Sequence, residues 1–165
     1  MDGRMLRITV LMLAGMVMLF LNGCEGRRHK DRFQWANFVN DAVKLKASGQ
    51  TEAVYFDVPR IMPFEWEKFY VFAPRTTVET IEKTIGFGWR AAKKTKISER
   101  DDITLLVFVA GFTIHEYIVQ PRAEGDFSEL KTAHPYTRRQ AYFEIVERDH
   151  DGQKWYVFIE AERNR

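Results

Sequence analysis

Glu116 lies between Ile114 and Ile118 on a strand face that begins at Phe112. A carboxyl turned inward among such neighbours would lose hydration, rise in pKa and serve as a general acid. Glu144 and Glu160, on the hairpin that follows, are the carboxylates that would supply its partner in a paired-carboxylate hydrolase. The opposite face, Thr113, His115, Tyr117 and Val119, is an equal candidate for burial, which would leave Glu116 in water. The four histidines, His29, His115, His134 and His150, show no metal-ligand spacing, and His115-Glu116 lacks the second His of a zinc helix. His150 between Asp149 and Asp151 has cation-binding residue types, yet a hairpin turn accounts for all three. No Ser occupies a nucleophile elbow and no Gly-rich phosphate loop is present, so neither metal nor cofactor is expected.

The single thiol, Cys24, belongs to a different chemistry. Arg4 and Arg7 precede an uncharged run from Ile8 to Leu21, the n-region and h-region of an export signal. As a helix this run reaches about 21 Å, short of a hydrocarbon core of roughly 30 Å. Ordinary signal peptidase would meet Leu21 where it needs a small residue. Leu21-Asn22-Gly23-Cys24 instead resembles the lipobox of bacterial lipoproteins, with Asn22 in place of the usual Ala, Ser or Thr. The resemblance covers residues 1–24. It implies diacylglycerol on the Cys24 sulfur, removal of residues 1–23, and frequent acylation, such as by palmitate, of the new amino terminus. Arg27, Arg28, Lys30 and Arg32 lie beyond the apolar run, and the positive-inside tendency opposes export of that flank. The competing arrangement is an uncleaved anchor with a cytoplasmic domain.

One chain of lipid holds a protein marginally and two hold it stably, at about 0.8 kcal/mol per buried methylene. Residues 24–32 then read as a lipidated Cys with a basic polar tether, and 33–165 as one domain. Of the 165 residues, 142 remain after cleavage, enough for a real core. The 25 Lys and Arg nearly balance 23 Asp and Glu, which gives no global case for nucleic acid. With Cys24 spent on lipid, the domain has no disulfide to rely on, and its 13 Phe, 6 Tyr and 4 Trp must supply the packing.

Trp35, Phe38, Val39, Ala42 and Leu45 recur at helical spacing, and Gly49 stops that helix. Ala53 to Val58 reads as a strand. Pro59 and Pro63 bracket a turn, and Trp66 to Ala73 is a strand apolar on both faces, so covered on both. Thr76 and Glu79 have capping-box spacing before a helix closed by Gly86. Phe64 to Gly86 resembles a segment of small uncharacterised bacterial lipoproteins: a Trp-acidic pair opens an aromatic strand, a Pro closes it and a capped helix follows. Arg75 replaces an expected aromatic. That resemblance implies the same address and carries no catalytic role.

Phe87 to Asp102 is basic through Arg90, Lys93, Lys94, Lys96 and Arg100, and reads as a solvated connection; an electrostatic adaptor is the alternative. Two hairpins follow, Ile103–Ala110 with Phe112–Gln120, and Gln140–Arg148 with Lys154–Ala161 around a turn at 149–152. Between them Pro121 to Arg139 is a long loop, which either binds something or is loose. A contact surface there would use Arg122, Phe127, His134, Tyr136, Arg138 and Arg139. Glycan stacking would use Trp66, Trp89 or Trp155, although such rings are more often core.

The resulting expectation is an α+β domain, an antiparallel sheet of five or six strands with two helices packed on one face. It hangs from Cys24 on the extracytoplasmic side of the cell membrane or outer membrane; in a host with two membranes the outer one is favoured, because Glu25 stands where enteric lipoproteins retained at the inner membrane carry Asp. The expected role is a non-catalytic binding module for an envelope protein or cell-wall component, with a surface-tethered wall hydrolase as the alternative.

Overall fold

The computed structural model describes residues 34–130 and 134–163. The signal segment, Cys24 and the tether lie outside them. From Trp35 onward the described residues form one compact unit, and its architecture is α+β.

Helix α1 spans 34–47. Trp35 and Val39 are buried, with Ala42 and Val43 packed alongside, whereas Phe38 and Leu45 are partly exposed. At 100° per residue the latter two fall on one flank of the stripe, which explains why a hydrophobic residue at the right spacing stays wet. Gly49 takes a positive φ of 66° just past the helix.

Strand β1, Tyr55–Asp57, runs directly into a helical turn, α2, Val58–Ile61. Pro59 is tolerated there because first-turn N–H groups need no helical partner. β2 covers Lys68–Phe72, α3 Val78–Ile85, β3 Ile103–Ala110, β4 Thr113–Pro121, β5 Tyr142–His150 and β6 Gln153–Glu160. Thr77, not Thr76, caps α3: its hydroxyl accepts from the Thr80 N–H at 3.2 Å, while the Thr76 hydroxyl donates to the Ala73 carbonyl.

The six strands do not make the single sheet expected from their number. They form two antiparallel sheets of three, ordered β1-β5-β6 and β2-β3-β4. β1 pairs Tyr55 with Glu144 rather than joining β2, its successor in the chain. Each hairpin therefore recruits one outside strand. The two helices also bury in different places instead of sharing a face. α1 enters a core between the sheets, with Phe56, Phe143, Ile145 and Phe158 from one and Phe69, Leu106, Phe108 and Ile118 from the other. α3 joins a second core on the far face of β2-β3-β4, against Tyr70, Phe72, Leu105 and Val107. Burial on both faces is what the unbroken apolar runs of β2 and β3 require.

Two segments read as loops are structural. Trp89, Ala92 and Ile97 are buried in the second core, and Arg90–Thr95 winds as a 3-10 helix over it. Only its basic side chains match a solvated connection. The 121–139 segment is stitched to both sheets. Asp126 accepts from the Phe158 N–H at 2.8 Å and donates its own to the Tyr156 carbonyl at 2.9 Å. Tyr136 exchanges backbone hydrogen bonds of 2.8 and 2.9 Å with Phe69. Phe127 is fully buried and stacks on Phe158 at 3.9 Å between centroids.

Candidate functional site

Glu116 is inward, only 2% exposed. The strand achieves this by an irregularity invisible to simple alternation. Phe108 faces Glu116 but Val109 faces Ile114, so His115 is the extra residue of a β-bulge. Ile114, with Tyr117 and Val119, consequently packs on the second core, while Glu116, Ile118 and Gln120 face the first. The face that seemed to run from Phe112 through Ile114 to Ile118 is divided. Glu116 Oε1 accepts from the Tyr117 N–H at 2.8 Å.

Glu144 and Glu160 lie on the other sheet and on its opposite faces. Glu160 pairs across the ladder with buried Phe143, whereas Glu144 alternates with it and pairs with Ile159. Glu160 Oε1 accepts from the Tyr136 hydroxyl at 2.8 Å. Glu144 thus does not share the face that Glu160 takes beside Phe143.

What the fold does assemble is a cleft of about 560 Å³ where the end of the 121–139 segment meets the end of β6. His134, Pro135, Tyr136, Gln140, Glu160, Ala161 and Glu162 line it. Gln140 Oε1 accepts from both the backbone and the hydroxyl of Thr137, which fixes its amide. Glu162 also borders a second hollow of about 300 Å³, lined by Tyr55, Asp57, Tyr142 and Arg163. There Tyr55, half exposed, stacks on Tyr142 with centroids 5.3 Å apart and planes 12° from parallel. The Arg163 guanidinium lies 5.0 Å above the Tyr142 ring and pairs with Asp57. Desolvation chiefly, then the nearby Tyr55 and Asp57, raises the Tyr142 phenol above its ordinary value. It remains a neutral donor. Carboxylates, an imidazole, an amide and phenols in one surface suit recognition of a polar, hydrogen-bonding ligand.

Of the contact residues expected in the long segment, His134 and Tyr136 reach this cleft. Arg122 instead pairs with Asp126 at 2.8 Å and covers the Trp155 ring at 5.2 Å. Arg138 lies 4.8 Å over Trp66 and donates to the Phe64 carbonyl, and Arg139 is exposed. Phe127 offers no face to a partner. Trp66 and Trp89 are buried and Trp155 is half-buried beside His150, so none is an open platform. Asp149 caps its turn by accepting from the Gly152 N–H at 3.0 Å, and His115 stacks on Phe64. Gln140, Glu162, Tyr55 and Tyr142 carried no sequence signal. They meet only because β1 pairs with β5 and the chain returns along β6.

Among the described residues, no helix is long and apolar enough to cross a membrane. Comparison with known protein families, curated proteins and solved structures finds no match to this chain.

Proposed function

We propose that this chain is a membrane-anchored extracytoplasmic lipoprotein, held by lipid on Cys24, whose folded body is a non-catalytic binding module of the cell envelope. The observation that carries the address is Leu21-Asn22-Gly23-Cys24 at the end of a short apolar run. The cleft bounded by His134, Tyr136, Gln140, Glu160 and Glu162 supports the binding role, its ligand being another envelope protein or a cell-wall component. Deleting residues 121–139 would be a poor test, since Phe127, Leu130 and Tyr136 belong to the core. Photo-crosslinking from position 134 or 162 of the full chain in its own membranes is suitable, with position 83 on α3 as a control. A discrete adduct from 134 and 162 alone is expected. Equal labelling from all three sites removes the cleft assignment.

A second reading, a wall-polymer hydrolase, draws on one observation: Glu160 and Glu162 line the same cleft. It predicts turnover of a wall fraction that disappears in Glu162→Gln while thermal stability is kept. No turnover by the wild-type chain on any wall fraction disposes of it.

A further inference from the structure

The 560 Å³ cleft and the 300 Å³ hollow meet at Glu162, which lines both. Their placement follows from the ladder at one end of the β1-β5-β6 sheet. Asp57 pairs with Tyr142, so Tyr55, Asp57 and Tyr142 share one face, while Glu160, opposite Phe143, belongs to the other. The Ala161 N–H donates to the Tyr142 carbonyl at 3.2 Å, which holds the chain against β5 as it leaves β6. Glu162 comes next and borders both sides of the sheet end.

Tyr55 supplies a flat apolar plane to this surface. It lies on the edge strand β1 and is 50% exposed, with Tyr142 stacked behind it. Arg163 lies over the Tyr142 ring and is itself paired with Asp57, so the stack is braced from behind. The negative π face of such a ring attracts the weakly positive hydrogens of C–H bonds. Beside it, the exposed Glu162 carboxylate offers two coplanar acceptors, which suit two neighbouring hydroxyls. Gln140 Oε1 is engaged by Thr137, so its amide offers Nε2 as a donor.

This chemistry separates the classes of ligand. An anion reaching from one hollow to the other would meet the like charge of Glu162. A cation would find Asp57 already paired and a guanidinium already seated on the tyrosine pair. A protein partner anchored by a large apolar side chain needs an apolar pocket, and among the residues lining the cleft only Pro135 and Ala161 are aliphatic. A neutral molecule with hydroxyls along its edge and C–H groups on its face meets every condition. That description is a sugar ring.

We propose that the cleft and the Tyr55 hollow are two subsites of one surface that binds a neutral oligosaccharide, with a sugar ring packed on Tyr55 and its hydroxyls on Glu162 and Gln140. The proposal rests on the binding-module reading of the cleft and narrows its ligand to a glycan.

Calorimetric titration tests this on the full chain, held in phosphocholine-detergent micelles that carry no sugar headgroup. Tetra-N-acetylchitotetraose, cellotetraose and maltotetraose are the sugar probes; spermine and tetraglycine are the cationic and peptide probes. Saturable heat is expected from at least one oligosaccharide and from neither of the others. Tyr55→Ala should weaken that binding roughly tenfold and Glu162→Gln roughly fivefold, while Tyr55→Phe, which keeps the ring, should bind as the wild type does. Both side chains are exposed, so thermal denaturation should show the fold kept in each variant. No saturable heat from any of the three sugars overturns the proposal, as does sugar binding unchanged in both Tyr55→Ala and Glu162→Gln. Binding of spermine or tetraglycine that these substitutions weaken also overturns it, and assigns the surface to a cation or a peptide. Crosslinking keeps the two ideas apart. A discrete protein adduct from positions 134 and 162 without sugar heat leaves the binding module standing and removes its glycan, whereas sugar heat lost in Tyr55→Ala by a chain with an unmodified Cys24 keeps the glycan surface and removes the anchor.

Discussion

Trp35 shows how one side chain can join the layers. Its indole touches Phe56 of one sheet, Phe108 of the other and Phe127 of the long segment, at centroid distances of 5.2, 6.1 and 5.6 Å. Its Nε1 donates to Gln120 Oε1 at 2.9 Å, deep in the core. Trp35→Phe keeps an aromatic but strands the Gln120 amide oxygen, and urea unfolding should show a loss of about 1–3 kcal/mol. The helix containing Trp35 was legible from spacing; the partner 85 residues away was not. At the surface, Arg100 holds the Asp102 carboxyl below its ordinary value, first through the side-chain hydrogen bond. With the folded pKa depressed, the stabilisation is full above the unfolded pKa and disappears as pH falls through the lower folded one. Carboxyl-carbon NMR should show Asp102 titrating at a lower pH than an ordinary aspartate, and Arg100→Gln should bring it back.

Elements differ in how plainly their sequences announced them. Strand β3 follows from its apolar run, β4 from alternation, and the β5–β6 hairpin from Asp151-Gly152, both at positive φ, as a two-residue hairpin turn needs. The 121–139 segment misleads because its anchors are single residues without period. Gly125 is one of them: at a φ of 155°, an added Cβ would sit 2.8 Å from Val39 Cγ1 and 3.0 Å from Phe158 Cε2. Gly125→Ala should therefore destabilise by about 1–3 kcal/mol, combining overpacking with backbone strain, as read by thermal denaturation. A loose insertion would tolerate the change. Similarly, the bulge at His115 decides which core Ile114 and Glu116 serve, and nothing in a period-two pattern marks where one residue will be skipped.

For the molecule as a whole, the address and the body make separate demands. If Cys24 carries the anchor, the intact mass of the membrane-extracted chain should match residues 24–165 plus diacylglycerol, with or without one further acyl chain. Cys24→Ser should keep residues 1–23 and gain no lipid. The amino-acid sequence by itself determined the α+β class and the hairpins, because each is written in neighbouring residues through composition, period and turn chemistry. Tertiary structure alone decided that six strands divide into two sheets, that α1 and α3 serve different cores, and that Tyr136, Gln140, Glu160 and Glu162 border one cleft. Those outcomes depend on which buried surfaces fit together across long stretches of chain, as when Tyr55 finds Glu144, and local pattern holds no record of that choice.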